Sequence, residues 1–238
     1  MGNHFDVLEL ATGDGSPHER AITAITALSG APPAGPDRWP LRSCDAGLLE
    51  LYRERYGPEL RAVSGCPACG SLLELKLIIE DLLGALPEPD GDALSMTAEG
   101  YELELRLPTV ADLVAAQRAG DVGRAAVLLA AACVTSCRRD GAAVSPDNIP
   151  ANVLDDAQRQ LERFDLASEP LELGCPDCAT AWSAALDIPA LVLAELEAEG
   201  QRLLGDIHVL ARAYGWSEAE VVALPPARRR RYVEMVLR

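Results

Sequence analysis

Apolar residues recur at helical spacing along most of the chain. Ile22 and Ile25 fall on one side of a segment ending near Leu28. Ser16-Pro17-His18-Glu19 opens it with a capping box and a proline at the first helical position, where its missing N–H is not needed. A second helix, capped by Ser43, carries the stripe Leu48, Leu49, Tyr52 and Tyr56, and Gly57-Pro58 stops it. Thr109, with Asp112 three residues on, starts a third. An alanine-rich run from Asp121 to about Cys137 makes a fourth. A fifth, about Ala151 to Asp165, carries Val153, Leu154, Ala157 and Leu161. The longest runs from about Pro189 to Tyr214. Its seam of Leu193, Leu196, Gly200, Leu203, Ile207, Leu210 and Tyr214 alternates steps of three and four, as in a coiled-coil stripe. Gly215 ends it, Ser217-Glu218-Ala219-Glu220 caps a short helix, and Pro225-Pro226 precedes a basic one over Ala227 to Leu237.

Extended segments are fewer. Tyr101 to Leu107 alternates strictly and reads as a strand with one wet face. Leu72 to Ile79, Leu171 to Gly174 and Ala181 to Ile188 are strand-like. Residues 1–15 read as a mobile lead-in, Ala31 to Pro36 as a proline-rich linker, and Pro87 to Asp92 and Gly141 to Pro150 as loops. The expected fold is α+β and mostly helical, with a small β element joining two similar halves and a C-terminal helical unit. The expected divisions are 1–40, 41–188 and 189–238.

Composition supports helix over an all-β sandwich: hydrophobic residues make up 49% of the 238, but aromatics only 4%. The net charge of −16, from 37 acids against 21 bases, opposes binding to phosphate backbones or anionic lipid. No apolar run reaches the roughly 18 residues a membrane span needs. The first residues lack a basic region followed by an apolar one, so no signal peptide is expected and the location implied is cytoplasmic.

Two knuckles stand out against this background, Cys66-Pro67-Ala68-Cys69-Gly70 and Cys175-Pro176-Asp177-Cys178. A Cys-x-x-Cys turn aims both sulfurs at one point, and two such turns complete the tetrahedral thiolate shell that zinc favours. The preferred reading is one structural zinc per chain, held by Cys66, Cys69, Cys175 and Cys178. That would make the β element zinc-ribbon-like. The alternatives are a redox role, each pair cycling as a disulfide, and unpaired thiols. Against the first alternative, each pair leads into a strand, whereas thioredoxin-type pairs sit at a helix N-terminus. The helix before each knuckle repeats one apolar pattern: Leu48, Leu49, Tyr52 and Tyr56 correspond to Val153, Leu154, Ala157 and Leu161. Cys44, Cys133 and Cys137 read as small core residues, the last two sharing a helix face.

No catalytic constellation emerges. His4, His18 and His208 belong to no spaced ligand motif, and there is no glycine-rich phosphate loop or nucleophile elbow. Arg228-Arg229-Arg230-Arg231 is the one strong basic run, but four consecutive residues wrap around a helix and form no single reading face. Pairing with the acidic body or an acidic partner is favoured over nucleic acid.

Cys175-Pro176-Asp177-Cys178 with Trp182, then Asp187-Ile188, then the long helix into His208-Val209-Leu210-Ala211-Arg212-Ala213-Tyr214-Gly215-Trp216-Ser217-Glu218-Ala219-Glu220, then Leu224-Pro225-Pro226-Ala227 and the arginine run into Tyr232, resembles baseplate hub assembly chaperones of the T-even phage type. These belong to contractile phage tails and related contractile injection systems. The first knuckle and Arg106-Leu107-Pro108-Thr109-Val110-Ala111-Asp112-Leu113 are similar to that family too. The resemblance spans roughly residues 40–238, and Ala179 stands where the first knuckle has Gly70. It implies a non-enzymatic protein that helps build a baseplate hub. Its partners would be hub, spike or tape-measure proteins, with no membrane and no small-molecule substrate. The rival classes are a zinc-ribbon nucleic-acid regulator and a thiol redox protein.

Overall fold

The structure is a computed structural model that describes residues 8, 16–29, 35, 38–86, 94–164 and 170–238. The expected lead-in, linker and 87–92 loop lie outside these residues, apart from Leu8 and Gly35. The described chain is α+β and mostly helical, with its strands in three small antiparallel sheets. It divides into two compact units, one of residues 32–188 and one combining 1–31 with 189–238. The predicted N-terminal helix thus belongs with the C-terminal helices instead of standing apart.

Helix α1 (Pro17–Ser29) belongs to the smaller unit, and the larger unit begins with the next helix in the chain. Helix α2 (Leu41–Tyr56) buries Cys44, Leu48, Leu49, Leu51 and Tyr52. It starts two residues before the expected Ser43 cap, with Pro40 at its N-cap. Tertiary pairing explains the shift: Leu41 N–H donates to Pro108 O at 2.9 Å, and Val110 N–H to Trp39 O at 3.2 Å. Gly57 ends the helix at φ 105°, a left-handed conformation open to glycine.

Strands β1 (Glu59–Gly65) and β2 (Leu72–Ile78) form the first knuckle's hairpin. The expected strand through Ile79 stops one residue short, because Ile79, fully buried, begins the short helix α3 (Ile79–Ala85). A four-stranded sheet follows, in the order β3 (Leu94–Ala98), β4 (Tyr101–Leu105), β5 (Val134–Arg139), β6 (Ala142–Ala143). The alternation read in β4 is present: Tyr101, Leu103 and Leu105 are buried, while Glu102 and Glu104 face out. Between β4 and β5 run α4 (Val110–Gln117) and α5 (Val122–Cys133).

The alanine-rich helix therefore ends at Cys133, not near Cys137. Val134 and Thr135 are β-branched, and their segment gains a ladder with β4, Leu103 facing Cys137 and Glu104 facing Ser136. Cys133 and Cys137 do not share a helix face, yet both are buried in one core with Tyr101, Leu103, Leu105, Val153, Leu154, Ala157 and Leu161. The last four residues come from α6 (Ala151–Glu162), whose apolar face matches the expected one. Strands β7 (Leu171–Gly174) and β8 (Ala181–Ala184) make the second knuckle's hairpin.

The smaller unit holds α1, α7 (Ile188–Tyr214, whose first residue closes the larger unit), α8 (Glu218–Val222) and α9 (Pro226–Val236). The capping box at Ser16 forms, with Glu19 accepting from Ser16 N at 3.0 Å and Glu19 N–H donating to Ser16 Oγ at 3.4 Å. The box at Ser217 and Glu220 forms likewise. Arg20 pairs with Glu197, tying α1 to α7. Leu203, Leu8 and Val222 make a small core with Ile207 against it. Arg229 is 7% exposed and donates to Asp206 Oδ2 at 3.0 Å, so one arginine of the basic run serves the fold.

Candidate metal centre

Each knuckle sits at the tip of a two-stranded hairpin. In the first, Cys66 N–H donates to Ser71 O at 2.8 Å and Gly70 N–H to Cys66 O at 2.9 Å. In the second, Cys175 N–H donates to Thr180 O at 2.9 Å and Ala179 N–H to Cys175 O at 3.0 Å. The two turns thus have the same bonding, residue for residue. The hydroxyls repeat as well. Ser71 Oγ lies 3.3 Å from Cys69 Sγ, and Thr180 Oγ1 lies 3.3 Å from Cys178 Sγ.

Gly70 adopts φ 76°, and Ala179 adopts φ 60°. The absence of glycine after the second knuckle does not alter its turn. An L-residue in this region bears a penalty of about 1–2 kcal/mol, which the surrounding hairpin bonds offset.

The turns face one another. Cys66 Sγ lies 3.6 Å from Cys178 Sγ, and Cys69 Sγ lies 3.6 Å from Cys175 Sγ. Exchanging the two knuckles exchanges these two contacts, so the four sulfurs obey an approximate two-fold relation. All four lie within 4.8 Å of one another. A tetrahedron with metal–sulfur bonds of about 2.3 Å has sulfur–sulfur edges of about 3.8 Å. The cluster is therefore compatible with a four-thiolate metal site, and the four predicted cysteines are the ones brought together. A disulfide would need sulfurs about 2.05 Å apart, and all seven cysteines are free thiols.

The electrostatics divide the sulfurs. Contacts with the hydroxyl and backbone of Thr180 pull the Cys178 thiol down to about 6. The equivalent groups of Ser71 hold Cys69 below the ordinary thiol range. Burial pushes Cys175 up to about 11, against hydrogen bonds from the backbone of Cys178 and Asp177. Bound metal would supply the positive charge that keeps four adjacent thiolates deprotonated together.

No family model, no curated protein and no solved structure matches this chain.

Sequence reasoning passed over Ser71, Thr180 and Asp177. A hydroxyl two positions after the second cysteine of each knuckle was the available signal. Asp177 breaks the two-fold relation, because the first knuckle has Ala68 at the matching place. Its carboxylate accepts from Ser71 Oγ at 2.6 Å and links the knuckles directly. The other three cysteines lie apart from the centre. Burial pushes Cys44 and Cys133 up to about 12 and raises Cys137, as expected of packed neutral thiols.

Away from the cysteines, an apolar cleft is lined by Leu41, Leu107, Pro108, Leu129 and Phe164, with Arg42, Gln158 and Glu162 as its polar groups. None of the metal-site cysteines borders it. No described helix is long and apolar enough to cross a membrane.

Proposed function

We propose that the chain is a zinc-stabilised, non-enzymatic assembly factor or structural component of a contractile-tail or injection-system baseplate hub, working through protein–protein contacts in the cytoplasm. The observation that carries the scaffold half is the meeting of four sulfurs from two like turns. Cys66, Cys69, Cys175 and Cys178 would hold the ion. Their thiolate set suits zinc, and four protein ligands leave no position for a reacting water. Such a centre clamps chain segments together: it joins the β1–β2 hairpin to the β7–β8 hairpin across the whole of the intervening sheet and helices. The assembly half is supported by the resemblance of Cys175 to Tyr232 to hub assembly chaperones. The partners on this reading are hub, spike or tape-measure proteins.

Co-expression of the tagged full chain with the tail genes of its own contractile particle tests the assembly half. Retention of one hub, spike or tape-measure protein through purification is expected. Retention of sheath and tube proteins alone, or of none, would count against it.

A further inference from the structure

The C-terminal end of the smaller unit carries a surface that the fold does not consume. Tyr214 and Trp216 stack with ring centroids 4.9 Å apart. Tyr232 meets Trp216 edge-on at 5.0 Å and Tyr214 at 6.0 Å. A trio of this kind buried in a core would be ordinary packing, but Tyr214 remains 42% exposed at the end of α7. On α9, Arg228, Arg231, Tyr232 and Met235 follow one another at steps that place them on one face. Arg228 and Arg231 are exposed there, and Met235 is 64% exposed. Arg229, on the flank of that face, is held by Asp206 and adds no free charge to it. Arg228 lies 5.7 Å over the Tyr232 ring and 3.3 Å from its hydroxyl, so a cation is already poised on the aromatic trio.

Charge selects the occupant. Residues 206–238 hold six arginines against Asp206 and three glutamates, in a chain whose net charge is −16. A long polyanion would feel the repulsion of that net charge along its length. A short acidic segment would not, and aromatic or aliphatic side chains within it would have the ring trio and Met235 to cover. Tyr, Trp and Arg are also the residues on which interface energy concentrates.

We propose that the face formed by Tyr214, Trp216, Tyr232, Arg228, Arg231 and Met235 docks a short acidic segment of a partner protein, anchored by an aromatic or large aliphatic side chain. This deepens the hub-assembly reading and depends on it only for which protein supplies the segment.

The test uses the full chain and fluorescein-labelled peptides of about fifteen residues, followed by anisotropy. One peptide is rich in Asp and Glu around a Phe-Leu-Trp centre. A second replaces its acids with Lys, a third replaces its centre with Ser, and a thymidine oligonucleotide supplies phosphate without peptide. The acidic aromatic peptide should bind saturably, at least about tenfold tighter than the other three. Tyr214→Ser, Arg228→Glu and, as a fully surface change, Met235→Ser should each weaken it, the first two by about tenfold, with unchanged circular dichroism. No saturable binding, equal binding of the Lys or Ser peptide, tighter binding of the oligonucleotide, or indifference to all three substitutions would overturn the proposal. The peptides contain no hub sequence, so failure here and failure to retain a hub protein are separate outcomes.

Discussion

Cys178→Ser is expected to abolish cooperative folding of the body over residues 38–188. Structural zinc in four-ligand sites contributes an apparent 10–16 kcal/mol at neutral pH, whereas a whole domain retains only about 5–15 kcal/mol of net stability. Serine offers a hydroxyl that stays protonated at neutral pH, and the remaining three thiolates would repel one another in a cluster only 3.6 Å across its closest contacts. The loss should be large because of topology. The two hairpins are separate two-stranded sheets, which are marginal on their own. Their knuckles are 106 residues apart, so a shared metal would close a loop holding the four-stranded sheet and helices α3 to α6. Chelation should reproduce the effect in the unsubstituted protein, and acid should release the metal because protons compete for the sulfurs. Cys133→Ala supplies the control. It opens a small cavity in the sheet–helix core, for a loss on the order of 1–2 kcal/mol, and should leave the metal in place. Denaturant unfolding monitored by circular dichroism separates the two outcomes.

Asp112→Ala is expected to cost about 2–3 kcal/mol, far more than an exposed ion pair would. Asp112 Oδ2 and Oδ1 accept from Arg106 Nη1 and Nη2 at 2.6 and 2.8 Å. The same carboxylate accepts from Thr109 N at 2.9 Å and Thr109 Oγ1 at 2.7 Å, closing the capping box of α4. Arg106 in turn donates to Ala132 O at 2.9 Å, at the C-terminal end of α5. An anion thus sits at one helix start and a cation at another helix end, each matching the local dipole. Asp112 is only 14% exposed, so its removal would strand partly desolvated donors. Burial alone would raise its pKa, but the bonds from Arg106 and Thr109 outweigh burial and hold it below the ordinary carboxylate value. A depressed folded pKa stabilises above the unfolded pKa of about 3.9, and that contribution disappears as pH falls through the folded value. Asp112→Asn should therefore flatten the acid limb of the stability profile while retaining part of the cap. A loss below about 0.5 kcal/mol for Asp112→Ala would reduce the clamp to an ordinary surface pair.

The four cysteines and the helices other than α3, which no expected element covers, are legible because their signals are local. Capping boxes at Ser16, Thr109 and Ser217 need four residues to read, and all three form. Two Cys-Pro-x-Cys turns declare their chemistry at any separation. What stayed hidden depends on distant partners. Residues 134–139 follow an alanine-rich helix without a breaker, and only pairing with β4 makes them a strand. Strand β3 does alternate, with Leu94, Met96 and Ala98 on the core side and Ser95 and Thr97 outward, but the run is too short to stand out without β4 beside it. The association of α1 with the C-terminal helices rests on contacts such as Arg20 with Glu197, which no local pattern announces. The bond from Ser71 to Asp177 is hidden for the same reason: each residue looks like ordinary turn chemistry within its own knuckle.

On this reading one ion, held by both knuckles, joins the two hairpins. Native mass spectrometry of the protein purified without a chelator, repeated on Cys66→Ser and on Cys175→Ser, tests it most directly. One zinc per chain in the unsubstituted protein, and none in either variant, is the predicted result. Zinc absent after expression in zinc-supplemented medium, two ions per chain, or an ion that survives loss of one knuckle's cysteine would contradict a single shared centre.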